Sequence, residues 1–170
     1  KTITTTAANN TGTTSGAIDI NVSGTGTVNL AGDLVTTGAT HNAAAGSIGG
    51  VVTIDTNNGA IALANITTSG GASSNAASNG GAAGTIGINT GTNNVITLNA
   101  STLTAAGGAG ATQGAGATIS FGDPVSLATG GVTISTGATV GNISFAKTLD
   151  GGQTLALTAG RGDITFTGIV

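Results

Sequence analysis

The chain of 170 residues has no cysteine, methionine, tryptophan or tyrosine, a single proline and three phenylalanines. Without cysteine there is neither a disulfide framework nor a thiolate metal site. Without tryptophan or tyrosine the usual means of stacking on sugar rings is missing. Charge is almost as scarce: 5% of residues are charged, against roughly 25% in ordinary globular proteins. Only Lys1, Lys147 and Arg161 are basic, and the net charge is −3. That is too little positive charge to neutralise a nucleic-acid backbone or to form a polybasic membrane patch. No run approaches the ~18 apolar residues of a membrane span, so membrane insertion is not expected. No signal peptide is visible either. Helix signals are missing too, with no capping box and β-branched residues throughout.

What is present is glycine, 32 copies of it, among Ala, Thr, Asn and Ser. Such a chain would read as disordered if its large apolar residues were not so regular. They come as pairs with one small or polar residue between them: Ile18-Asp19-Ile20, Val52-Thr53-Ile54, Ile86-Gly87-Ile88, Ile119-Ser120-Phe121, Ile143-Ser144-Phe145 and Ile164-Thr165-Phe166. The starts at 18, 52, 86, 119, 143 and 164 give repeats of 34, 34, 33, 24 and 21 residues. The two-residue alternation is that of a strand with one buried face. Its return at long intervals is the mark of a solenoid, in which each repeat supplies one layer.

A second series follows the first: Val28-Asn29-Leu30, Ile61-Ala62-Leu63, Ile96-Thr97-Leu98, Val132-Thr133-Ile134 and Leu155-Ala156-Leu157. A third, looser series holds Leu34, Ile66 and Leu103, with Val125 and Leu149 as its weaker members. Three short strands per repeat, joined by Gly/Asn/Asp turns, describe one coil of a parallel β-helix. The expected fold is all-β: a parallel β-helix of about six coils, right-handed because parallel crossovers are so in ~98% of cases. Three stretches poor in large apolar residues, Gly38 to Ser47, Gly70 to Gly84 and Gly107 to Ala117, each fall between a third strand and the next first strand. They read as one loop position used in successive coils and leaving one edge of the stack, either packed on each other as a flap or mobile. Lys1-Thr2-Ile3-Thr4-Thr5 resembles a third strand, and Gly168-Ile169-Val170 the opening of a further one. Residues 1–170 are therefore expected to be a single β-helix segment, either a slice of a longer array or a unit that stacks end to end on copies of itself.

The C-terminal third carries the most specific pattern. Asn142-Ile143-Ser144-Phe145, then Leu149-Asp150-Gly151-Gly152-Gln153-Thr154-Leu155-Ala156-Leu157-Thr158-Ala159-Gly160, then Gly162-Asp163-Ile164-Thr165-Phe166 resembles the repeats of filamentous-haemagglutinin-like adhesins and related β-strand-repeat bacterial exoproteins. The resemblance implies a right-handed parallel β-helix, secretion to the extracellular space or cell surface, and a part in adhesion, with other cells or matrix as partners. It lends no catalytic residues.

Chemistry-bearing residues are few. The acids are Asp19, Asp33, Asp55, Asp123, Asp150 and Asp163, with no Glu. A glycosidase or lyase groove needs carboxylates brought close together; Asp19 and Asp55 lie near matching strand positions, yet no Arg or His accompanies them. The six read as exposed strand-edge or turn residues, and they are too scattered for a calcium shell. His41 stands alone in a loop and is expected in solvent. No catalytic, metal or cofactor site is assigned, and an enzyme is not expected. Arg161-Gly162-Asp163 spells a tripeptide that some receptors read, in a turn before a strand; the plainer reading is a turn whose Asp caps backbone amides. Asn-x-Ser/Thr triplets at Asn9, Asn21, Asn65, Asn99 and Asn142 are what chance gives in a chain this rich in Asn and Thr. Ice binding wants a regular Thr array, and the middle positions of the second series, Asn29, Ala62, Thr97, Thr133 and Ala156, are irregular. The leading expectation is a structural stalk or filament segment. The alternative is a module that binds a receptor, glycan or ice through its loop edge or a flat Thr-containing face.

Overall fold

In the computed structural model, which describes residues 1–7 and 13–170, the chain winds into a right-handed parallel β-helix of about six coils with three strands per coil. The first sheet contains Ile18–Val22, Val52–Thr56, Ile86–Asn89, Ile119–Phe121, Ile143–Phe145 and Ile164–Phe166. The second contains Val28–Asn29, Ile61–Leu63, Ile96–Asn99, Val125–Thr129 and Leu149–Asp150. The third contains Ile3–Thr4, Leu34–Val35, Ile66–Thr67, Thr102–Thr104, Val132–Ser135 and Leu155–Thr158. In each sheet the strands follow chain order, and every pairing is parallel.

The six apolar pairs of the first sheet lie in register as the alternation demands. Ile18, Val52, Ile86, Ile119, Ile143 and Ile164 form one file. Ile20, Ile54, Ile88, Phe121, Phe145 and Phe166 form the next. The three rings stack along that second file, with centroids 4.9 and 5.0 Å apart and planes within 5° and 4° of parallel. Phe121 and Phe145 are buried, whereas Phe166, on the last coil, is 39% exposed.

The later coils correct the expected strand series. Val125 pairs with Ile96 and Leu149 with Val125, so both belong to the second sheet. Thr133 and Ile134 pair with Thr102 and Leu103, and Leu155-Ala156-Leu157 pairs in turn with Val132-Thr133-Ile134, so both belong to the third. An inward apolar pair looks alike in either sheet; the corner ahead of it differs. In the first three full coils the second-sheet strand starts 10, 9 and 10 residues after the first (18 to 28, 52 to 61, 86 to 96). In the next two it starts 6 residues after (119 to 125, 143 to 149). Asp123-Pro124 makes one of these short corners.

The three loops leave one edge, between the third sheet and the first, and they pack on each other through their backbones. Each loop folds back on itself: Ser47 N–H donates to Ala39 O, Gly81 N–H to Gly71 O and Gly114 N–H to Gly108 O, at 2.8–3.0 Å. Successive loops join by Gly71 N–H to Ser47 O and Gly108 N–H to Gly81 O, at 2.8 and 2.9 Å. One zigzag of hydrogen bonds thus crosses three coils, 114 to 108 to 81 to 71 to 47 to 39. No side chain fits between the legs. A β-carbon on Gly71, Gly81, Gly108 or Gly114 would overlap the carbonyl of Ala39, Ser47, Gly71 or Gly81 respectively. Glycine is used here because the backbones must touch.

A threonine clasp closes the neck of several loops. Gly50 N–H donates to Thr36 O while Thr36 Oγ1 donates to Gly50 O at 2.5 Å. Thr68 and Gly84 repeat the exchange at 2.8 and 2.6 Å. Thr136 Oγ1 donates to Gly141 O, and the Thr5 hydroxyl to Gly16 O. Thr36, Thr68 and Thr136 are fully buried, so their hydroxyls need these partners. In the third coil Ala105 takes the same position, and only the backbone bond from Ala117 N–H remains.

Candidate functional site

The carboxylates do not converge. On the outer face of the first sheet Asp19 faces Thr53, and Asp55 faces Asn21, so the two acids are diagonal and not opposite. Asp33 accepts from Asn65 Nδ2 at 3.0 Å, and Asp150 from the Gly151 N–H at 2.7 Å. Asp123 departs from the expected exposed turn residue: it is 5% exposed. Its two oxygens accept from Thr90 N–H at 2.7 Å and Asn93 N–H at 3.1 Å, binding its corner to that of the preceding coil. Asn93 sits at φ 63°, a left-handed conformation that this carboxylate helps to hold. Among the described residues no three His, Asp or Glu side chains group as metal ligands.

His41 is also corrected. It is buried, with Nε2 2.8 Å from Ser47 Oγ, because the second loop lies over it: His41 N–H donates to Ala72 O, and Ser74 N–H to His41 O. Ser47 is itself fully buried, so the pair has no open side for a substrate. Arg161 and Asp163 are exposed at the turn before the last first-sheet strand. Their backbone is held in place: Arg161 N–H donates to Thr139 O, Gly162 N–H to Ala159 O and Asp163 N–H to Asn142 Oδ1. Of the Asn-x-Ser/Thr triplets, Asn9 lies outside the described residues. Asn65 and Asn142 accept backbone N–H bonds from the neighbouring coil, and Asn65 also donates to Asp33.

Two outer faces have relief or regularity. On the first sheet a shallow groove of about 280 Å³ runs across four strands, between Thr53 and Asp55 at one end and Ser144 and Ala146 at the other. It exists because Gly87 and Gly122 put no side chain on its floor. On the third sheet the outward residues form files. Thr4, Val35, Thr67, Thr104, Ser135 and Thr158 are successive register partners. Beside them run Thr102, Thr133 and Ala156. The hydroxyls of Thr67, Thr102, Thr104, Thr133 and Thr158 make no side-chain bond within the described chain. The mixed-sheet assignment of Thr133 and Ala156 hid this regularity from the sequence; the T-x-T spacing of Thr102 and Thr104 was its visible trace.

Comparison with protein-family models, with curated proteins and with solved structures finds no match. The class is therefore set by the fold alone: a parallel β-helix whose described residues gather no catalytic constellation.

Proposed function

We propose that this chain is a structural segment of a secreted or cell-surface fibre or adhesin stalk. The observation that carries the reading is the uninterrupted stacking of the coils together with the character of the last one. Each sheet adds a strand per coil, about 4.8 Å further along the axis, over an unbroken file of aliphatic and phenyl side chains. The last coil ends with Ile164 and Phe166 41% and 39% exposed, and Ile169 and Val170 at 80% and 74%. Open strand edges beside apolar surface are templates for further strands, and a further coil, from a copy of the chain or from flanking repeats, has the shape to cover them. Leu149 N–H donates to Ile169 O at 2.9 Å, in the same sense as Val125 N–H donates to Thr148 O one coil earlier. The resemblance to filamentous-haemagglutinin-like repeats supports the same role, outside the cell and in contact with other cells or matrix.

A receptor or glycan site on the loop edge has less support, because glycine backbone and small side chains form most of that edge. The test is electron microscopy of the purified chain over a range of concentrations, beside sedimentation. Unbranched filaments one coil wide are expected, and Ile169→Lys should abolish them by placing a charge at the joint. A chain that stays monomeric at every concentration would overturn the end-to-end reading. Saturable receptor binding by that monomer would favour the binding module.

A further inference from the structure

We propose that the outer face of the third sheet is an ice-binding surface, with the files around Thr102, Thr104, Thr133 and Thr158 as its contacts. The inference stands apart from the fibre reading, since it concerns the side of the rod and not its ends. Three properties of the face carry it.

The first is regularity in two directions. Strands in register space the hydroxyls of Thr67, Thr104, Ser135 and Thr158 about 4.8 Å apart across the sheet, and Thr102 with Thr104, and Thr133 with Ser135, repeat them about every 6.6 Å along two adjacent strands, with Val35 and Ala156 bounding the array. Both repeats approach the oxygen–oxygen repeats of an ice surface. The second is stiffness. A threonine on a strand has few χ1 choices, so hydroxyl and methyl are held in place before any contact forms, and little ordering entropy is lost on binding. The third is neutrality. The six residues of the long file carry no charge, and the exposed Thr102, Thr133 and Ala156 beside it carry none. The acid on this sheet, Asp33, is tied to Asn65 nearer the first coil.

These properties also select the ligand. An uncharged face attracts neither anions nor cations, and one without aromatic rings gives a dissolved sugar nothing to stack on. Each hydroxyl is worth only about 0.5–1.5 kcal/mol in a net hydrogen bond. A small molecule would engage one or two of them and leave at once. Only a periodic, neutral, hydrogen-bonding partner engages the whole array, and ice is that partner.

The experiment freezes a dilute solution of the chain slowly on a cold finger and measures the protein taken into the ice, with thermal hysteresis read in parallel. The unaltered chain should enter the ice and hold a hysteresis gap. Thr104→Tyr and Thr133→Tyr should lose both, while Thr53→Tyr on the outer face of the first sheet should keep both. Far-UV spectra and melting curves show that each variant is folded; Thr133→Lys replaces any tyrosine variant that is not. Exclusion of the unaltered chain from ice, to the same extent as a serum albumin control frozen beside it, would overturn the proposal. So would equal loss in Thr53→Tyr, or binding to insoluble cellulose or chitin without uptake into ice.

Discussion

Removing the middle ring of the phenylalanine stack separates core packing from end exposure within one side-chain type. Phe145 is 1% exposed and sits between Phe121 at 4.9 Å and Phe166 at 5.0 Å. Phe145→Ala loses the transfer term and leaves a cavity closed above and below, a change that costs about 3–5 kcal/mol. Two stacked pairs vanish with it, each worth about 0.5–1.5 kcal/mol and already part of what such truncations measure. Phe166→Ala removes the same atoms from a site open to solvent on one side, so no closed cavity remains. With 39% of the residue already exposed, its cost is about 1–2 kcal/mol from transfer alone. The assay is denaturant unfolding followed by far-UV circular dichroism, below any concentration at which the chain assembles. Solenoids can lose end coils separately, so a broadened transition in Phe145→Ala is read as local melting of the last coils. Equal costs for the two variants, or a Phe145→Ala cost below about 1 kcal/mol, would refute the closed column. Filament assembly reverses the order of interest: Phe166→Ala should weaken the joint between chains far more than it weakens one chain.

Substitutions at three further positions test the parts of the fold that no apolar pattern marks. Gly81→Ala should destabilise the chain by about 1–3 kcal/mol, the usual cost of overpacking, because its methyl would overlap the Ser47 carbonyl. Gly152→Ala, where a β-carbon meets nothing within 4 Å, should be close to neutral in the same melting assay. Asp123→Ala should cost about 2 kcal/mol or more by stripping charge-assisted partners from the N–H groups of Thr90 and Asn93. Asp123→Asn should recover part of that loss, and loss of hydrogen-exchange protection at those two amides is the local readout.

How far the sequence could be read depended on what each part of the coil packs against. Where side chains fill the interior, the two-residue alternation reports it, and Ile119-Ser120-Phe121 announces both its strand and its register. The choice between second and third sheet was not legible for Val132-Thr133-Ile134. An inward pair is the same in either sheet, and the deciding feature was the length of a corner. Asp123-Pro124 was the available sign of a short corner, but a lone Asp beside a Pro reads equally well as an exposed turn. His41 reads as solvated for the same reason: nothing near it in sequence reports that residues 72–74 of the next coil will cover it. The regular Thr face followed the strand assignment and was lost with it.

The loops were hardest to read because their packing leaves no apolar signature. A hydrophobic core is written in large side chains; a backbone core is written in their absence, which is also how flexible linkers are written. The two differ in pairing. Gly70-Gly71, Gly80-Gly81 and Gly107-Gly108 place glycine doublets in the second and third loops, on legs that meet other legs. A linker has no need of doublets at such matched places. The consequence is energetic as well as structural. Loop-closure entropy alone makes a loop's length nearly free to change, about 0.6 kcal/mol per doubling. That estimate holds for a loop that touches only solvent. Residues 70–84 hydrogen-bond to the loop on either side, through Gly71 to Ser47 and from Gly108 to Gly81. Removing the legs of that middle loop, with Gly71 and Gly81, therefore strips partners from buried backbone groups of both neighbours, each costly to leave unmet. The loop edge is in this sense part of the rod, a second spine held by peptide groups beside the one held by isoleucine and phenylalanine.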